Sequence, residues 1–391
     1  MTPAARAQAA IELLDLIIAA AREGGAAADT LISRYFATRR YAGSKDRRAV
    51  RELVYRAVRR AGERPADGRA ALLGLAEGEP ELLDLFDGSP HGPALVASGE
   101  PAAPAGVAPA WLLDRFDPLV GENERAALLE RAPLDLRVNR LKGDREAAAI
   151  AFPEAVATPH SPLGLRLPES IRVEETSAWR DGLVEVQDEG SQLLALACAA
   201  QPEMNVIDLC SGAGGKTLAL AAEMADRGAI IAADTDRGRL SKLPQRLARA
   251  GVLIVEARLL NPEREAEALP KAAADLVLVD APCSGSGTWR RNPETRWRIT
   301  PERLERVVAL QARLLDLAAT LVRPGGHLVY AVCSLLTEEG RDQAAALTAR
   351  SSLVPEEVAI LAGRASGSGR LLTPSHDGTD GFFVARWRRP C

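Results

Sequence analysis

The amino-acid sequence predicts an α/β fold, a mostly parallel sheet wound with helices on both faces, and three observations carry that expectation. Apolar runs of strand length, VIDL from 206, AIIAA from 229 and LVLV from 276, lack the polar alternation of a half-exposed strand and so suit strands buried on both faces. A helix-period stretch separates each run from the next, the alternation that builds parallel sheets. Two of the strand-length runs also end on reactive residues, Asp280 and Cys283 after one and Cys333 after another, and open α/β sheets bind their ligands beyond the carboxyl ends of their strands.

At 391 residues the chain exceeds the size at which one core stops growing, and 47% hydrophobic residues allow each of two or three domains a core of its own. No apolar run approaches the roughly 20 residues that span a bilayer, and the first residues place acids within a helix-period pattern instead of a cleavable leader. No membrane association is expected, and a cytoplasmic monomer is. The five cysteines, Cys198, Cys210, Cys283, Cys333 and Cys391, are odd in number and show no C-x-x-C spacing, which argues against a disulfide framework and against any metal site. A net charge of −4 gives no global basic signature, so a nucleic-acid partner would have to meet local basic patches.

In chain order, Ile11, Leu14, Ile18 and Ala21, then Val50, Leu53, Val54, Ala57 and Val58, fall at helical spacing and predict amphipathic helices. The second helix carries Arg47, Arg48, Arg51, Arg56, Arg59 and Arg60, which reads either as an RNA-facing surface or as a solvated helix face. Residues 1–90 are assigned to this helical, RNA-binding domain. Gly, Pro and Ala dominate from Gly62 to Pro109, and the least patterned part, 91–108, is assigned to a linker. Helical periodicity from Trp111 to Arg131 and alternation in LDLRVNRLK from 134 then predict a small α+β segment over 109–184, expected to recognise RNA.

The core proper is expected over 185–391. Its first strand closes at Asp208 and passes through Cys210, Ser211, Gly212, Ala213, Gly214, Gly215 and Lys216 into a helix, so that backbone and a helix amino end can approach an anionic or polar ligand. The second strand ends at Asp234, about 20 residues past that turn, where an acid commonly takes the two hydroxyls of a ribose. A nucleoside cofactor is therefore expected. Pro244 should interrupt the helix of Arg237 to Gly251, Leu253 to Leu259 reads as the third strand, and Thr300-Pro301 reads as the start of a long helix. HLVYAVC gives the fifth strand, and TDGFFVARWRR a closing strand in an antiparallel edge pair.

Two cysteines closing two strands of one sheet, each beside polar residues, suggest thiol chemistry, since a thiolate is a strong nucleophile even as a minor fraction. VQDEGSQ from 186, DLCSGAGGKT from 208, DAPCSGSGTWRRNPE from 280, YAVCSLLTEEG from 330 and DGFFVA from 380 together resemble the Sun-type, RsmB-like RNA cytosine-5 methyltransferases. The resemblance implies a Rossmann-like class I methyltransferase sheet preceded by a NusB-like all-helical domain, and S-adenosylmethionine as the cofactor. It places that cofactor on Cys210 to Lys216, Asp234 and Asp280, with Asn261 standing where the family has an acid near the adenine. It makes Cys333 the nucleophile that adds to C6 of cytosine, has Cys283 assist product release, and sets Asp280 between cofactor and base. The implied partner is RNA, ribosomal 16S RNA first, with another RNA such as tRNA as the alternative.

Arg290, Arg291, Arg296 and Arg298, interleaved with Trp289 and Trp297, are expected to hold that RNA, because guanidinium suits phosphate and indoles can stack bases. Methylation of an exocyclic amine would want an Asn or Asp followed by Pro-Pro and an aromatic, which Asp-Ala-Pro-Cys is not. DNA-type methylation would use Cys283 as nucleophile and leave Cys333 unexplained. A non-catalytic assembly factor would be expected to have lost a catalytic cysteine, and both are present.

Overall fold

The computed structural model describes residues 1–168 and 171–391 and divides the chain into two compact units. A helical unit holds Met1–Phe116, Gly121–Arg131 and Thr288–Pro301, and a catalytic unit holds Asp117–Val120, Ala132–Gly287 and Glu302–Cys391. This differs from the expected domains 1–90, 109–184 and 185–391. The small α+β segment starts only at Ala132 and shares a unit with the larger sheet, while 14 residues following the Cys283 turn belong to the helical unit.

The helical unit contains α1 (Pro3–Glu23), α2 (Ala28–Ala37), α3 (Ser44–Arg60), α4 (Gly68–Gly78), α5 (Ala110–Leu113) and α6 (Glu122–Ala127). The Thr2 hydroxyl caps α1 by accepting from the Ala5 N–H, satisfying one of the first-turn donors that a helix leaves open. Leu13, Leu14 and Ile17 of α1 are completely buried and cluster with Val50, Val54, Ala57 and Val58 of α3 and Leu72 and Leu75 of α4. The Gly- and Ala-rich stretch assigned to a linker is more ordered than its composition suggested. Within 91–108 Ala103 donates to the Ala70 carbonyl of α4 (2.9 Å) and Gly106 to the Arg60 carbonyl of α3 (2.9 Å). Small side chains there serve close backbone approach.

The arginines of α3 are largely engaged inside their own unit. Arg51 pairs with Asp29 at 2.9 Å, Arg56 with Glu79, and Arg60 with Glu77 at 2.7 Å, while Arg47 donates to the Ala42 carbonyl at 2.9 Å. Of the two readings of that helix, the structure favours a paired, solvated face.

In the catalytic unit an antiparallel sheet of β1 (Leu134–Val138), β2 (Val156–Ala157), β3 (Gly164–Leu167) and β4 (Val184–Val186) has the order β2-β3-β1-β4, accompanied by α7 (Arg145–Ala151) and α8 (Ser177–Arg180). The VQDEGSQ stretch, leading into α9 (Glu189–Ala197), fastens this sheet to the larger one. Gln187 accepts from Arg137 of β1 at 2.6 Å, Gln192 donates to the Leu136 carbonyl at 3.1 Å, and Asp188 accepts the Asp380 N–H at 3.2 Å.

The larger sheet contains β5 (Asn205–Asp208), β6 (Ala229–Asp234), β7 (Val255–Leu259), β8 (Ala274–Asp280), β9 (Val322–Val332), β10 (Val354–Glu356), β11 (Arg364–Ser366), β12 (Gly369–Leu372) and β13 (Phe382–Arg388). Its order is β11-β12-β13-β9-β8-β5-β6-β7, with β5 to β9 parallel and β10 pairing with β13. Strand β13 is antiparallel to β9, as expected, but lies inside the sheet and not at its edge, because β12 and β10 pair beyond it. The helices are α10 (Gly215–Glu223), α11 (Arg237–Leu240), α12 (Leu243–Ala250), α13 (Pro301–Leu321), α14 (Arg341–Arg350) and α15 (Pro374–Asp377). Pro244 does mark a restart, in the first turn of α12, where its missing N–H costs nothing.

Candidate active site

Strand order reverses at β5, whose neighbours β6 and β8 lead to opposite edges, and that reversal opens the crevice in which such sheets bind ligands. The glycine turn sits there. Ser211 donates its N–H to the Ala233 carbonyl (3.0 Å), Gly212 to Asp234 Oδ2 (2.8 Å) and Gly214 to the Ser211 carbonyl (2.8 Å), which fastens the turn to the end of β6. Gly214 has φ +85°, and a Cβ there would come within 2.2 Å of Leu243, so only glycine lets α12 pack this closely. Arg246 of α12 supports the turn from the same side, donating to the Ala213 carbonyl at 2.7 Å.

The residues present fit a nucleoside cofactor such as S-adenosylmethionine. A Cβ on Gly212 would meet nothing within 4 Å, so the turn faces open space. The buried Ser211 Oγ and Asp208 Oδ1 have no hydrogen-bond partner among the described residues. Asp234 takes one backbone N–H on each oxygen, from Gly212 (2.8 Å) and Asp236 (2.7 Å), leaving each with acceptor capacity for a hydroxyl. Asn261 is exposed and lies one residue past Leu260, whose N–H bonds the Asp234 carbonyl at 2.8 Å. Lys216, at the start of α10, reaches Asp280 at 2.7 Å, and although burial opposes its charge, Asp280 holds the ammonium protonated above its ordinary range.

Strands β8 and β9 run side by side with Asp280 opposite Ala331, and this register brings the two cysteine turns together. Cys283 Sγ and Cys333 Sγ are 3.3 Å apart and both residues are half-buried. The hydrogen bond to Cys333, and then burial, push the Cys283 thiol well above the usual range. The other cysteines stand apart from this pair. Burial pushes Cys198 up to about 12 and Cys210 well up, and Cys391 is exposed.

Beneath the cysteines lies a network without a counterpart in the sequence reading. Glu339 accepts from the Ser284 N–H (2.8 Å), the Ser284 and Ser334 hydroxyls (2.5 Å each) and Gln311 Nε2 (3.0 Å). Gln311 also donates to the Pro282 carbonyl at 2.9 Å. The only sequence signal for it was the place of Glu339 inside YAVCSLLTEEG, five residues after Ser334. No group of three or more potential metal ligands occurs among the described residues.

At Arg296, Trp289 and Trp297 the structure departs from the expected RNA-facing segment. Arg296 is fully buried, donating to the carbonyls of Val58, Arg59 (2.7 Å), Ala61 (3.0 Å) and Val107 (2.9 Å). Trp297 is buried with Nε1 on the Ala61 carbonyl (2.9 Å), and Trp289 is buried edge-on against Phe116 at 5.8 Å between centroids. Arg298 donates to the Gly25 and Ala26 carbonyls (2.8 and 2.7 Å), Arg290 is buried, and Arg291 is half-buried. The tryptophans offer no face for a base, and Arg296 has no path to phosphate.

A parallel sheet in this order, with an antiparallel strand beside the fifth, a glycine turn after the first and an acid after the second, defines a methyltransferase of the Rossmann-like class. Residues 195–388 match the family described as 16S rRNA methyltransferase RsmB/F. The chain is 34% identical to a probable ribosomal RNA small subunit methyltransferase B of Synechocystis over 72% of its own length and 66% of that protein's, and 35% identical to the ribosomal RNA small subunit methyltransferase B of Xylella fastidiosa over 71% and 68%. It thus spans slightly less than two thirds of the cyanobacterial relative. Among solved structures, PH0851 is similar in fold (TM-score 0.78, 24% identity, 100% of this chain and 99% of that one), as is a methyltransferase homolog protein from Pyrococcus horikoshii (TM-score 0.61, 27% identity, 71% and 93%). The chain belongs to the RsmB/F methyltransferase family.

Proposed function

We propose that this protein methylates carbon 5 of cytosine in RNA, 16S ribosomal RNA first, using S-adenosylmethionine and a covalent cysteine adduct. The observation that supports this most is the pair of thiols 3.3 Å apart at the ends of adjacent parallel strands, beside the Asp280–Lys216 pair. Bound S-adenosylmethionine would supply an electrophilic methyl group on a sulfonium. The turn from Cys210 to Lys216 and the Asp234 carboxylate would hold it, and Asp280, pinned by Lys216, would face the base.

C5 of cytosine is a weak nucleophile. Adding the Cys333 thiolate forms an S–C6 bond and pushes the C5=C6 electron pair toward C5, which can then take the methyl group. Nucleophilic catalysis of this kind divides one difficult step into easier ones. Restoring the ring requires a base to take the C5 proton, so that the C5–H bonding electrons re-form C5=C6 while the C6–S bond breaks and its electrons leave with Cys333 as the thiolate. Cys283 is placed to take that proton. The hydrogen bond to Cys333 is the main influence holding Cys283 as a thiol, and it weakens once Cys333 becomes a thioether, so Cys283 ionises more readily at the stage that needs a proton acceptor. If the target cytosine is paired, it must flip out of its stack to reach Cys333.

Replacing each cysteine tests this. Cys333→Ala should abolish methyl transfer and leave RNA reversibly bound, whereas Cys283→Ala should accumulate a protein–RNA adduct that survives denaturing electrophoresis. Adduct from Cys333→Ala and none from Cys283→Ala would reverse the two roles, and activity in both variants would remove thiol catalysis. Bisulfite sequencing of ribosomal RNA from cells with and without the protein identifies the substrate, because methylcytidine resists conversion; no lost position in 16S RNA would refute that target.

A further inference from the structure

Resting on the assignment of Cys333 as nucleophile and Cys283 as its partner in release, we propose that Glu339 is a positioning residue that clamps the two cysteine turns together and sets a charge difference between the two thiols.

Ser284 directly follows Cys283, and Ser334 directly follows Cys333. One Glu339 oxygen accepts the Ser284 N–H (2.8 Å) and Gln311 Nε2 (3.0 Å), and the other accepts both serine hydroxyls (2.5 Å each). Gln311 holds the Pro282 carbonyl as well, at 2.9 Å, so a single carboxylate gathers the residues on both sides of Cys283 and the residue after Cys333. Its own backbone is fixed by the Tyr330 hydroxyl, which donates to the Glu339 carbonyl at 2.6 Å. Ser286 extends the lattice, lying 3.1 Å from the Ser334 hydroxyl and accepting the Leu335 N–H at 2.9 Å.

The clamp is also electrically lopsided. Glu339 is fully buried, and no ion pair links it to a Lys or Arg among the described residues, so neutral donors alone solvate its charge and its field reaches neighbouring groups through a medium that screens weakly. That field acts on Cys283, adding to the effects of Cys333 and burial in the same direction. Lys216 provides the opposite influence, for its ammonium interacts with Cys333 as well as with Asp280. Two thiols in contact share one negative charge most readily. With the Glu339 anion buried beside the Cys283 turn, Cys283 is held as a thiol.

Alkylation of the protein alone, read per cysteine by peptide mass spectrometry across pH, tests this without RNA. In the parent, iodoacetamide should modify Cys283 at least about tenfold more slowly than Cys333 near neutral pH, because the reagent takes the thiolate and Cys283 is held as a thiol. Glu339→Gln retains the clamp, since its amide oxygen can accept both N–H donors and its nitrogen can donate to the serine oxygens. It should cut the ratio to roughly threefold or less and move the Cys283 profile to lower pH, with S-adenosylmethionine affinity unchanged. An unchanged ratio and profile in folded Glu339→Gln overturns the proposal. Should that variant not fold, Cys333→Ser and Cys283→Ser decide: the lone Cys283 must still react more slowly than the lone Cys333, and equal rates overturn the charge difference. Failure to find methylcytidine in RNA would leave these labelling results standing, so the two readings fail separately.

Discussion

Residues 280–287 and 288–301 form one uninterrupted stretch of sequence, yet the first lines the candidate reaction site and the second fills the core of the helical unit. In the first, small residues turn a strand end so that a thiol and a carboxylate stay half-exposed. In the second, Trp289, Pro293, Glu294, Arg296, Trp297 and Ile299 are all buried. What separates them is where their polar groups find partners. A helix ends with carbonyls that have no acceptor role inside the helix, and a cation near them is favoured by the helix dipole. Arg296 meets that demand at the end of α3, on Val58, Arg59 and Ala61. Arginine beside tryptophan thus signals a nucleic-acid surface only where no such carbonyls are open.

The largest effect that can break this comparison comes from Arg296→Ala. Burial pushes the guanidinium down to about 9, so at neutral pH it is still a cation, and its loss takes the donor from the Val58, Arg59 and Val107 carbonyls, while Ala61 keeps Trp297. Each buried acceptor left without a donor typically costs about 1–3 kcal/mol. The helical unit should therefore lose most of its stability, seen as fast hydrogen exchange over 288–301 with 205–234 still protected. If instead stability holds and the salt dependence of RNA binding flattens, Arg296 touches phosphate and the contrast between the two segments collapses.

Asp234→Ala gives the opposite signature. It removes acceptors for a ribose, each charge-assisted hydrogen bond contributing about 1.5–3 kcal/mol, so S-adenosylmethionine should bind at least about tenfold more weakly by calorimetric titration. Arg296→Ala should leave the affinity of the folded fraction unaltered. Equal affinity in Asp234→Ala and the parent would remove Asp234 from the cofactor site.

How much of this was legible in the sequence follows from the range of the forces involved. Strands β5, β6, β8 and β9 announced themselves because burial on both faces imposes continuous apolar runs, and the Pro244 break because a missing N–H is a local property. The glycine turn, Asp234 and the two cysteines were legible because each sits at the end of such a strand. Three things were not. Ala- and Gly-rich residues 91–108 read as linker because close backbone approach and disorder draw on the same small residues, and the hydrogen bonds of Ala103 to Ala70 and Gly106 to Arg60 show which applied. The Trp289–Arg298 cluster read as surface because its partners, Ala61 and Val107, lie nearly 200 residues or more away in sequence. Glu339 was within a quoted motif but without a role, since a buried acid is intelligible only once Ser284, Ser334 and Gln311 surround it.

An effect that is small over any one pH unit concerns Asp208, directly under the glycine turn, and sharpens the comparison from the catalytic side. Its Oδ2 accepts the Thr217 hydroxyl at 2.6 Å and its Oδ1 has no partner among the described residues. Burial therefore raises the acid from 3.8 to about 7, against the opposing pull of Thr217. Between those values the folded chain keeps a proton that the unfolded chain has lost. Stability from this group is full below about 3.8 and is lost as pH rises to about 7. Asparagine carries no such proton, so in Asp208→Asn the stability of the catalytic unit should fall less steeply across that window, by at most about 1.4 kcal/mol per pH unit for one proton. Hydrogen exchange over 205–234, followed at several pH values, should show the change, and exchange over 288–301 should not. Parallel pH profiles for Asp208→Asn and the parent would mean that Asp208 is ionised in the folded protein, and that the space around its free oxygen is already polar.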